Sequence, residues 1–298
     1  MNILVTGYNG FIGRHLTREL ISSGHNVIGI DNYSNSTRDD DPFIDVIETF
    51  GDDISTVSQS YLEWIMQDID VVFHLAAKAR VQASFANPIE WHNTNVTGTH
   101  KLLEAAKVNK IKKFIFSSTS SVYGNGTGRA THETCNLRPM SPYALQKMYA
   151  EELCGFYTEW YDLDTICLRY FNVYGENQPT AGNYPQAIPI FLDRFHRGLP
   201  FTIYGTGEQR RDFTYVGDVV RANILAMDCD TVGIFNIGSG ENTSINELCD
   251  MIDPIRTRIY KEPRPEPDVT LANINKANSI LKWKPTVALK AWIESQTK

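Results

Sequence analysis

Tyr143 and Lys147 stand four residues apart in Ser141-Pro142-Tyr143-Ala144-Leu145-Gln146-Lys147, so on a helix they share one face. Together they could do acid–base chemistry on an alcohol. An ordinary phenol has a pKa of about 10 and is too weak a base at pH 7. Half-ionisation there needs a shift of about 3 units, or roughly 4 kcal/mol of differential stabilisation. Two desolvated positive charges close by can provide it, and Lys147 supplies one. The run Ser117-Ser118-Thr119-Ser120-Ser121-Val122-Tyr123-Gly124 offers a hydroxyl, Thr119, to steer a substrate's alcohol proton. By itself a tyrosine–lysine pair at this spacing reads as a solvated helix face. Three glycines near the amino terminus, Gly7, Gly10 and Gly13, reverse that balance.

The glycines follow the apolar run 2–6, and Phe11, Ile12, Leu16 and Leu20 recur after them at helical period. A glycine loop between strand and helix lets backbone N–H groups approach a pyrophosphate at the positive helix end. Gly24 closes the helix, 27–30 is a second strand, and Asp31 ends it, about 20 residues past the loop, where a carboxylate suits an adenosine ribose. That carboxylate would repel a 2′-phosphate, so NAD is expected rather than NADP. Its cationic nicotinamide would be the second positive charge the phenol requires.

The elements that must hold these groups alternate regularly. Residues 43–50 contain a third strand, 61–66 a helix, and 70–77 a fourth strand whose small last residues suit a backbone lying close to a cofactor. His74 within it reads as a satisfied interior histidine. Residues 88–109, with a proline start and a Lys-rich end, read as one long helix. A fifth strand at 113–116 runs into the hydroxyl series. That series is poor material for a strand interior or a helix, and fits the carboxyl edge of a parallel sheet, where ligands bind. Residues 164–172 form a sixth strand. The unbroken alternation predicts an α/β fold with a doubly wound parallel sheet. Beyond it the pattern breaks. Residues 179–200 are richer in Pro and Gly with a helix near 188–197; 201–204 is a short strand, 213–216 is strand-like, and 235–238 is a further strand. Residues 263–268 are extended, and an amphipathic helix ends the chain. Residues 1–172 and 212–240 are assigned to the dinucleotide-binding domain, and 173–211 and 241–298 to a smaller C-terminal substrate lobe.

The totals exclude several classes. With 28 Lys and Arg against 35 Asp and Glu, the formal charge of −7 argues against nucleic acid or an anionic membrane as partner. No apolar run approaches the roughly 20 residues of a membrane span. The chain enters a strand at once, leaving no room for a signal peptide, so a cytoplasmic location is expected. Five cysteines with no close pair read as buried free thiols in a reducing compartment, and seven histidines show no metal-ligand spacing, so no metal site is expected.

The chain resembles the extended short-chain dehydrogenase/reductases that act on nucleotide-sugars, along nearly its whole length. The matching stretches are 6–13, Asp31-Asn32, His74-Leu75-Ala76-Ala77-Lys78, 93–98, 117–124, Tyr143 to Lys147, 168–175, Arg211-Asp212-Phe213, Asn236-Ile237-Gly238 and Arg264-Pro265. Within that family it looks most like the UDP-hexose 4-epimerase branch, to whose adenosine loop residues 31–36 are close. The resemblance implies a Rossmann-type fold with Thr119, Tyr143 and Lys147 as catalytic residues, Thr119 standing where epimerases more often have Ser. It implies NAD contacts from Gly7, Gly10, Phe11, Ile12, Gly13, Asp31, Asn32, Tyr33, Ser34, Asn35, Ser36, Asp53, Ile54, Leu75, Ala76, Ala77, Lys78, Asn95, Ser117 and Phe171, besides Tyr143 and Lys147. The UDP-sugar would meet Lys78, Ser84, Thr119, Tyr143, Asn172, Gln186, Ala187, Ile188, Thr202, Ile203, Tyr204, Arg211, Arg264 and Asp268. Two arginines suit a diphosphate through charge-assisted, bidentate hydrogen bonds, whereas Arg210 reads as solvated charge.

The implied reaction is inversion of C4 of UDP-glucose or UDP-galactose through a 4-keto sugar, with NAD regenerated and retained. Thr270, two residues before Ala272, falls where bulk restricts the family's pocket to unsubstituted hexoses, so UDP-GlcNAc and UDP-GalNAc are also candidates. The tail reads Arg264-Pro265-Glu266-Pro267-Asp268 in place of the family's Arg-Pro-Gly-Asp, and either Glu266 or Asp268 would meet the uridine ribose. Two alternatives stand: another 4-keto-forming nucleotide-sugar enzyme, such as a 4,6-dehydratase or a UDP-glucuronate decarboxylase/epimerase, and a non-catalytic NAD-binding sensor of the same fold. Dehydratases carry Asp-Glu directly after the catalytic Thr, and decarboxylases a Glu at the second position. Ser120 and Ser121 cannot do that acid–base work. The family also implies a homodimer paired through the two long helices, here 88–109 and 142–161.

Overall fold

The computed structural model describes residues 1–180 and 186–298; residues 181–185 of the Pro- and Gly-rich stretch lie outside that description. The chain forms two units, one of residues 1–119, 141–169 and 220–235 and one of residues 120–140, 170–219 and 236–298.

The first unit is built on a sheet whose strands are β1 (Asn2–Thr6), β2 (Asn26–Ile30), β3 (Glu48–Phe50), β4 (Val71–His74), β5 (Lys113–Thr119) and β6 (Asp164–Tyr170). With the edge strand Gly233–Ile237, the order is Gly233–Ile237, β6, β5, β4, β1, β2, β3. The pairings of β1 with β2 and β4, of β2 with β3 and of β4 with β5 are all parallel. Ile3, Leu4 and Val5 are fully buried, because a parallel strand covered by helices on both faces cannot alternate polar and apolar residues. The chain runs from β1 outward to β2 and β3, then returns to lay β4 on the other side of β1. The connections after β1 and β4 therefore part, which makes the ligand crevice of a doubly wound sheet. This is the Rossmann-type fold that the alternation predicts.

Helix α1 (Phe11–Ser22) follows β1, and α2 (Gln59–Ile65) packs Leu62 and Ile65 into a core shared with Leu4, Leu102, Phe114 and Cys154. The long helix expected at 88–109 is present but interrupted. Helix α4 (Pro88–His92) and α5 (Thr99–Val108) are joined by a π-helical stretch, Asn93–Gly98, preceded by the short α3 (Val81–Ala86). Helix α6 (Pro142–Tyr161) opens with Pro142 in its first turn, and the Ser141 side chain caps the Ala144 N–H.

The structure shifts some of the predicted boundaries. Ser117, Ser118 and Thr119 are the last residues of β5 rather than a run beyond it, and Ser120–Tyr123 form a single 3-10 turn. The sixth strand ends at Tyr170, two residues early. The strand-like stretch 213–216 contributes only Thr214–Tyr215, and Val216 begins a helix, Val216–Met227, that the apolar composition of the stretch conceals. Cys154, Cys167 and Cys249 are buried and Cys135 and Cys229 half-buried, all free. Among the described residues no helix is long and apolar enough to cross a membrane.

The second unit has its own core, in which Tyr174, Ile188, Phe191, Phe201, Ile203, Leu248 and Ile293 meet. Residues 120–140 join it through backbone bonds: Gly126 N–H donates to Val269 O, Thr131 N–H to Leu271 O, and Asn273 N–H to Thr131 O. Asp218, 1 % exposed, ties the chain near its end to helix Val216–Met227. Its carboxylate accepts from Thr286 N (2.9 Å), Thr286 Oγ1 (2.6 Å) and Val287 N (3.2 Å), while its carbonyl accepts from the fully buried Trp283 indole (2.8 Å). Truncating the carboxylate strands three donors. Asp218→Ala is expected to lose about 3 kcal/mol of unfolding free energy in urea titration; an unchanged midpoint would contradict this account.

Candidate active site

The glycine loop is a close-approach device. Gly7 sits at φ +71°, and a Cβ there would lie 2.7 Å from Ala76 N, on the first residues after β4. A Cβ on Gly13 would fall 2.0 Å from Gly7 O, so helix α1 can fold back on the loop only without one. Gly10 caps α1 with no side-chain hydrogen bond. The first N–H groups of a helix lack intrahelical acceptors, and here no cap side chain fills that role. A strand, a glycine-bearing turn and a helix start with no side-chain cap fit a dinucleotide pyrophosphate.

Beside it, Asp31 accepts from Asn9 N (3.1 Å) through Oδ2 and from Tyr33 N (2.8 Å) through Oδ1. Burial pushes its carboxyl up, against those two bonds. Asn32 donates to Asp53 Oδ2 (2.8 Å) and accepts from Ser34 N (3.0 Å), and the Asn9 amide reaches Ser36 Oγ (3.0 Å). Burial also pushes Asp53 up, but the Ser55 hydroxyl and N–H and the Asn32 amide outweigh it and leave the carboxyl low. The Ile54 side chain is in the core, where a Cβ on Gly98 would meet it at 2.9 Å. The loop's main anchor escapes a motif-based reading. Tyr8, fully buried, is hydrogen-bonded to Tyr33 (2.6 Å) and donates to buried Asp41, to which Tyr33 also donates (3.0 Å). The ring lies where a Cβ on Gly29 would come within 2.6 Å. A tyrosine between two motif glycines, paired with a glycine in a strand of large apolar residues, is the signal that could have revealed it.

On the β4 side, Leu75 N–H donates to Thr6 O (3.0 Å) and Ala76 N–H to Thr6 Oγ1 (3.2 Å), and Ala77 follows in the same half-buried stretch. Asn95, in the π-helical stretch, grips the Lys78 backbone from both sides, accepting from its N–H (2.9 Å) and donating to its carbonyl (3.1 Å). The Lys78 ammonium itself pairs with Glu90 at 2.6 Å. His74 bridges Thr6 (2.7 Å) and Thr99 (2.8 Å), and burial drives its pKa well down, so it is a neutral interior histidine as read.

The three reactive groups gather at the end of β5. Tyr143, in the first turn of α6, is 7 % exposed and hydrogen-bonded to the Thr119 side chain. Burial pushes its phenol up to about 12, and the bond from Thr119 works in the other direction. Lys147, one turn on, donates to Ser117 O at 2.8 Å and lies 4.4 Å from the Phe116 ring centroid. Burial lowers its ammonium to about 8. In the protein alone desolvation of the phenol outweighs the Thr119 bond, so the phenolate calls for the second positive charge named above, a cationic nicotinamide, beside Lys147. Ser84, wholly buried on α3, donates to Val81 O (2.6 Å) and accepts from Tyr143 N (3.2 Å), so its hydroxyl sets the start of α6.

In the second unit, Arg211 pairs with Glu266 at 2.8 Å and donates to Arg210 O (3.0 Å), with its side chain 8 % exposed. The Arg264 guanidinium lies 3.3 Å from the Tyr204 ring centroid. Asn172 donates to Asp212 O (3.1 Å) and Thr270 Oγ1 (3.2 Å), and Asp268 pairs with Asn125 (2.7 Å). Thr202 and Tyr204 are half-buried on one face of their strand, whereas Ile188 and Ile203 point into the core and Ala187 packs against it. Gln186 is exposed at the cap of helix Ala187–His196, and Phe171 is buried, its N–H on Ile237 O (3.0 Å). Arg210 is no solvated charge: it forms a fork with Glu247 (2.8 and 3.0 Å) and holds Asn242. Asp212, fully buried, accepts from Ser239 N (2.6 Å), Ser239 Oγ (2.7 Å), Gly240 N (3.1 Å) and Ala272 N (3.0 Å), a knot that spacing alone could not disclose.

Gly7→Ala tests the loop. With a strained φ and a 2.7 Å contact, it is expected to cost about 2 kcal/mol of stability and to leave no dinucleotide in material released by denaturation and weighed by mass spectrometry. Wild-type stability and content together would refute the close-approach reading.

The comparisons agree with this geometry. The family model described as the NAD dependent epimerase/dehydratase family matches residues 3–238. A UDP-glucuronate 4-epimerase of Thermodesulfobacterium geofontis is 33 % identical over 96 % of this chain and 92 % of its own. The structure of UDP-glucose 4-epimerase with UDP-glucose from Thermotoga maritima superposes with a TM-score of 0.94 at 36 % identity, covering 100 % of this chain and 97 % of that one. The structure of UDP-N-acetylglucosamine 4-epimerase from Methanobrevibacter ruminantium, in complex with UDP-N-acetylmuramic acid, has a TM-score of 0.92 at 36 % identity over 99 % and 96 %. A motif-bearing glycine loop, a buried Thr–Tyr–Lys group and a match spanning most of its length place this chain in the NAD dependent epimerase/dehydratase family, with NAD as its cofactor.

Proposed function

We propose that the chain is a UDP-hexose 4-epimerase, an isomerase that inverts C4 of UDP-glucose and UDP-galactose and has room for their 2-N-acetyl counterparts. The observation that carries this reading is the Thr119–Tyr143–Lys147 group followed by Ser120 and Ser121. Acid–base groups sufficient for one alcohol are present, and the carboxylates that elimination requires at the next two positions are not. NAD, when bound, supplies a redox partner for the sugar carbon and a positive charge beside the phenol. Tyr143 would take the proton of the 4-hydroxyl and give it back to the same oxygen once the planar 4-keto carbon has presented its other face to the redox partner. The Thr119 hydroxyl orients that proton, and Lys147 adds a fixed positive charge one helical turn away. Arg211 and Arg264 of the second unit are assigned to the diphosphate, which must stay anchored while the 4-keto sugar turns over. For Arg211 this means exchanging the Glu266 carboxylate for a phosphate oxygen. Thr270 is small, and its hydroxyl is engaged by Asn172 and by Asp212 N (3.1 Å), which supports acceptance of a substituted sugar.

Proton NMR of UDP-glucose, UDP-galactose, UDP-GlcNAc and UDP-glucuronate incubated separately with the protein tests the reading. C4 epimers of the first three are expected. Turnover of UDP-glucuronate alone would move the assignment to uronates, and loss of water or carbon dioxide would replace epimerisation altogether. Tyr143→Phe is expected to lower kcat by about 10³-fold at unchanged fold; undiminished turnover would remove the phenol from the mechanism.

We further infer a homodimer. Leu145, Tyr149, Phe156 and Trp160 leave a continuous apolar strip on α6, Trp160 being 65 % exposed, and a second copy of the same helix is its natural cover. Light scattering is expected to give twice the 33.7 kDa chain mass, and Tyr149→Glu with Trp160→Glu to give the single mass. A wild-type monomer would overturn it.

A further inference from the structure

Tyr143, Lys147 and Glu151 follow one another at four-residue intervals on α6, and only the first two belong to the proposed chemistry. Glu151 is 3 % exposed and Arg169, on β6, 1 % exposed. The guanidinium meets the carboxylate through Nε at 2.9 Å and Nη2 at 2.6 Å, a two-point fork in the interior. Ser118 Oγ also donates to Glu151. Two successive residues of β5 are thereby held by two successive turns of α6: Ser117 O by Lys147 and Ser118 Oγ by Glu151. Thr119 comes next on the strand. A buried ion pair replaced by apolar residues is often neutral or stabilising, so stability is a weak reason for its presence.

The surroundings of Lys147 give a stronger one. On β5 it faces the Phe116 ring and the Ser117 carbonyl, and on β4 the neutral His74. On β6 and α6 it faces Cys167, whose thiol is pushed well up by its bond to Cys154 and by burial, and Cys154 itself. Among the described residues named here around Lys147, Glu151 is the carboxylate, and the Arg169 guanidinium is paired with it. We propose that Glu151 and Arg169 are positioning residues that set the protonation of Lys147 by their charge balance, and through it the base strength of Tyr143, without touching substrate or cofactor. This rests on the proposed catalytic role of Tyr143 and Lys147 for its consequence, but the charge coupling is measurable without turnover.

The test uses protein labelled with 15N-lysine, the Lys147 signal being identified by its loss in Lys147→Met. Glu151→Gln leaves a net positive charge beside Lys147, and its titration midpoint is expected to fall by about one pH unit. Arg169→Met leaves a net negative charge and is expected to raise the midpoint by a similar amount. The double variant restores neutrality and should return it to within a few tenths of a unit, and it remains available if either single variant fails to fold. In turnover assays the alkaline limb of kcat should move with the same signs while KM stays constant. Midpoints that are unmoved, or that shift in the same direction in both single variants, would overturn the proposal. Opposite NMR shifts without any epimerisation would uphold it and instead sink the functional reading.

Discussion

A buried ammonium group is the constraint around which the first unit is arranged. Lys147 has lost nearly all of its hydration, and burial favours its neutral form. What retains the charge is a single carbonyl at the end of β5, an aromatic face and a carboxylate one turn along the helix. Each partner comes from a fixed element, so the lysine dictates how α6 lies on the sheet. The same contact delivers Tyr143 to Thr119, because the three side chains are spaced by one helical turn and one strand end. The catalytic arrangement and the packing of α6 are therefore one feature of the structure.

The cofactor side follows a complementary logic: it is shaped by the absence of side chains. Gly7 and Gly13 bring β1, its loop and α1 so close together that no Cβ fits at either position. A loop so bare needs support from elsewhere. Tyr8, Tyr33 and Asp41 provide it beneath the adenosine loop, and Asn95 provides it beneath Lys78. The π-helical stretch at Asn93–Gly98 has a cause of this kind: one extra residue in the turn brings the Asn95 amide onto the Lys78 backbone.

The second unit gives neighbouring charges different partners. Arg210 is bound up in a fork with Glu247, and Asp212 spends its carboxylate on four donors. Arg211, between them in sequence, is itself buried but has a half-exposed partner in Glu266. Adjacent residues on a strand point to opposite faces, so neighbouring charges can be sorted into structural and exchangeable ones without any change in composition.

The sequence by itself determined the alternation of strands and helices, the glycine loop with its acidic end, and the spacing of Tyr143 and Lys147. These are local facts: period, turn chemistry and an interval of four residues are written in consecutive positions. It could also read His74 as an interior residue, since a lone histidine in an apolar strand has few other uses. Only the tertiary structure decided that the Ser84 hydroxyl meets the start of α6 and the Ser118 hydroxyl meets Glu151, that Ile54, Ile188 and Ile203 turn into cores, and that Arg210 pairs with Glu247 and Arg211 with Glu266. It alone decided that burial outweighs the Thr119 hydrogen bond at the Tyr143 phenol. Desolvation depends on everything within several ångströms of an atom, and those neighbours arrive from segments up to a hundred residues apart, where no pattern along the chain records them.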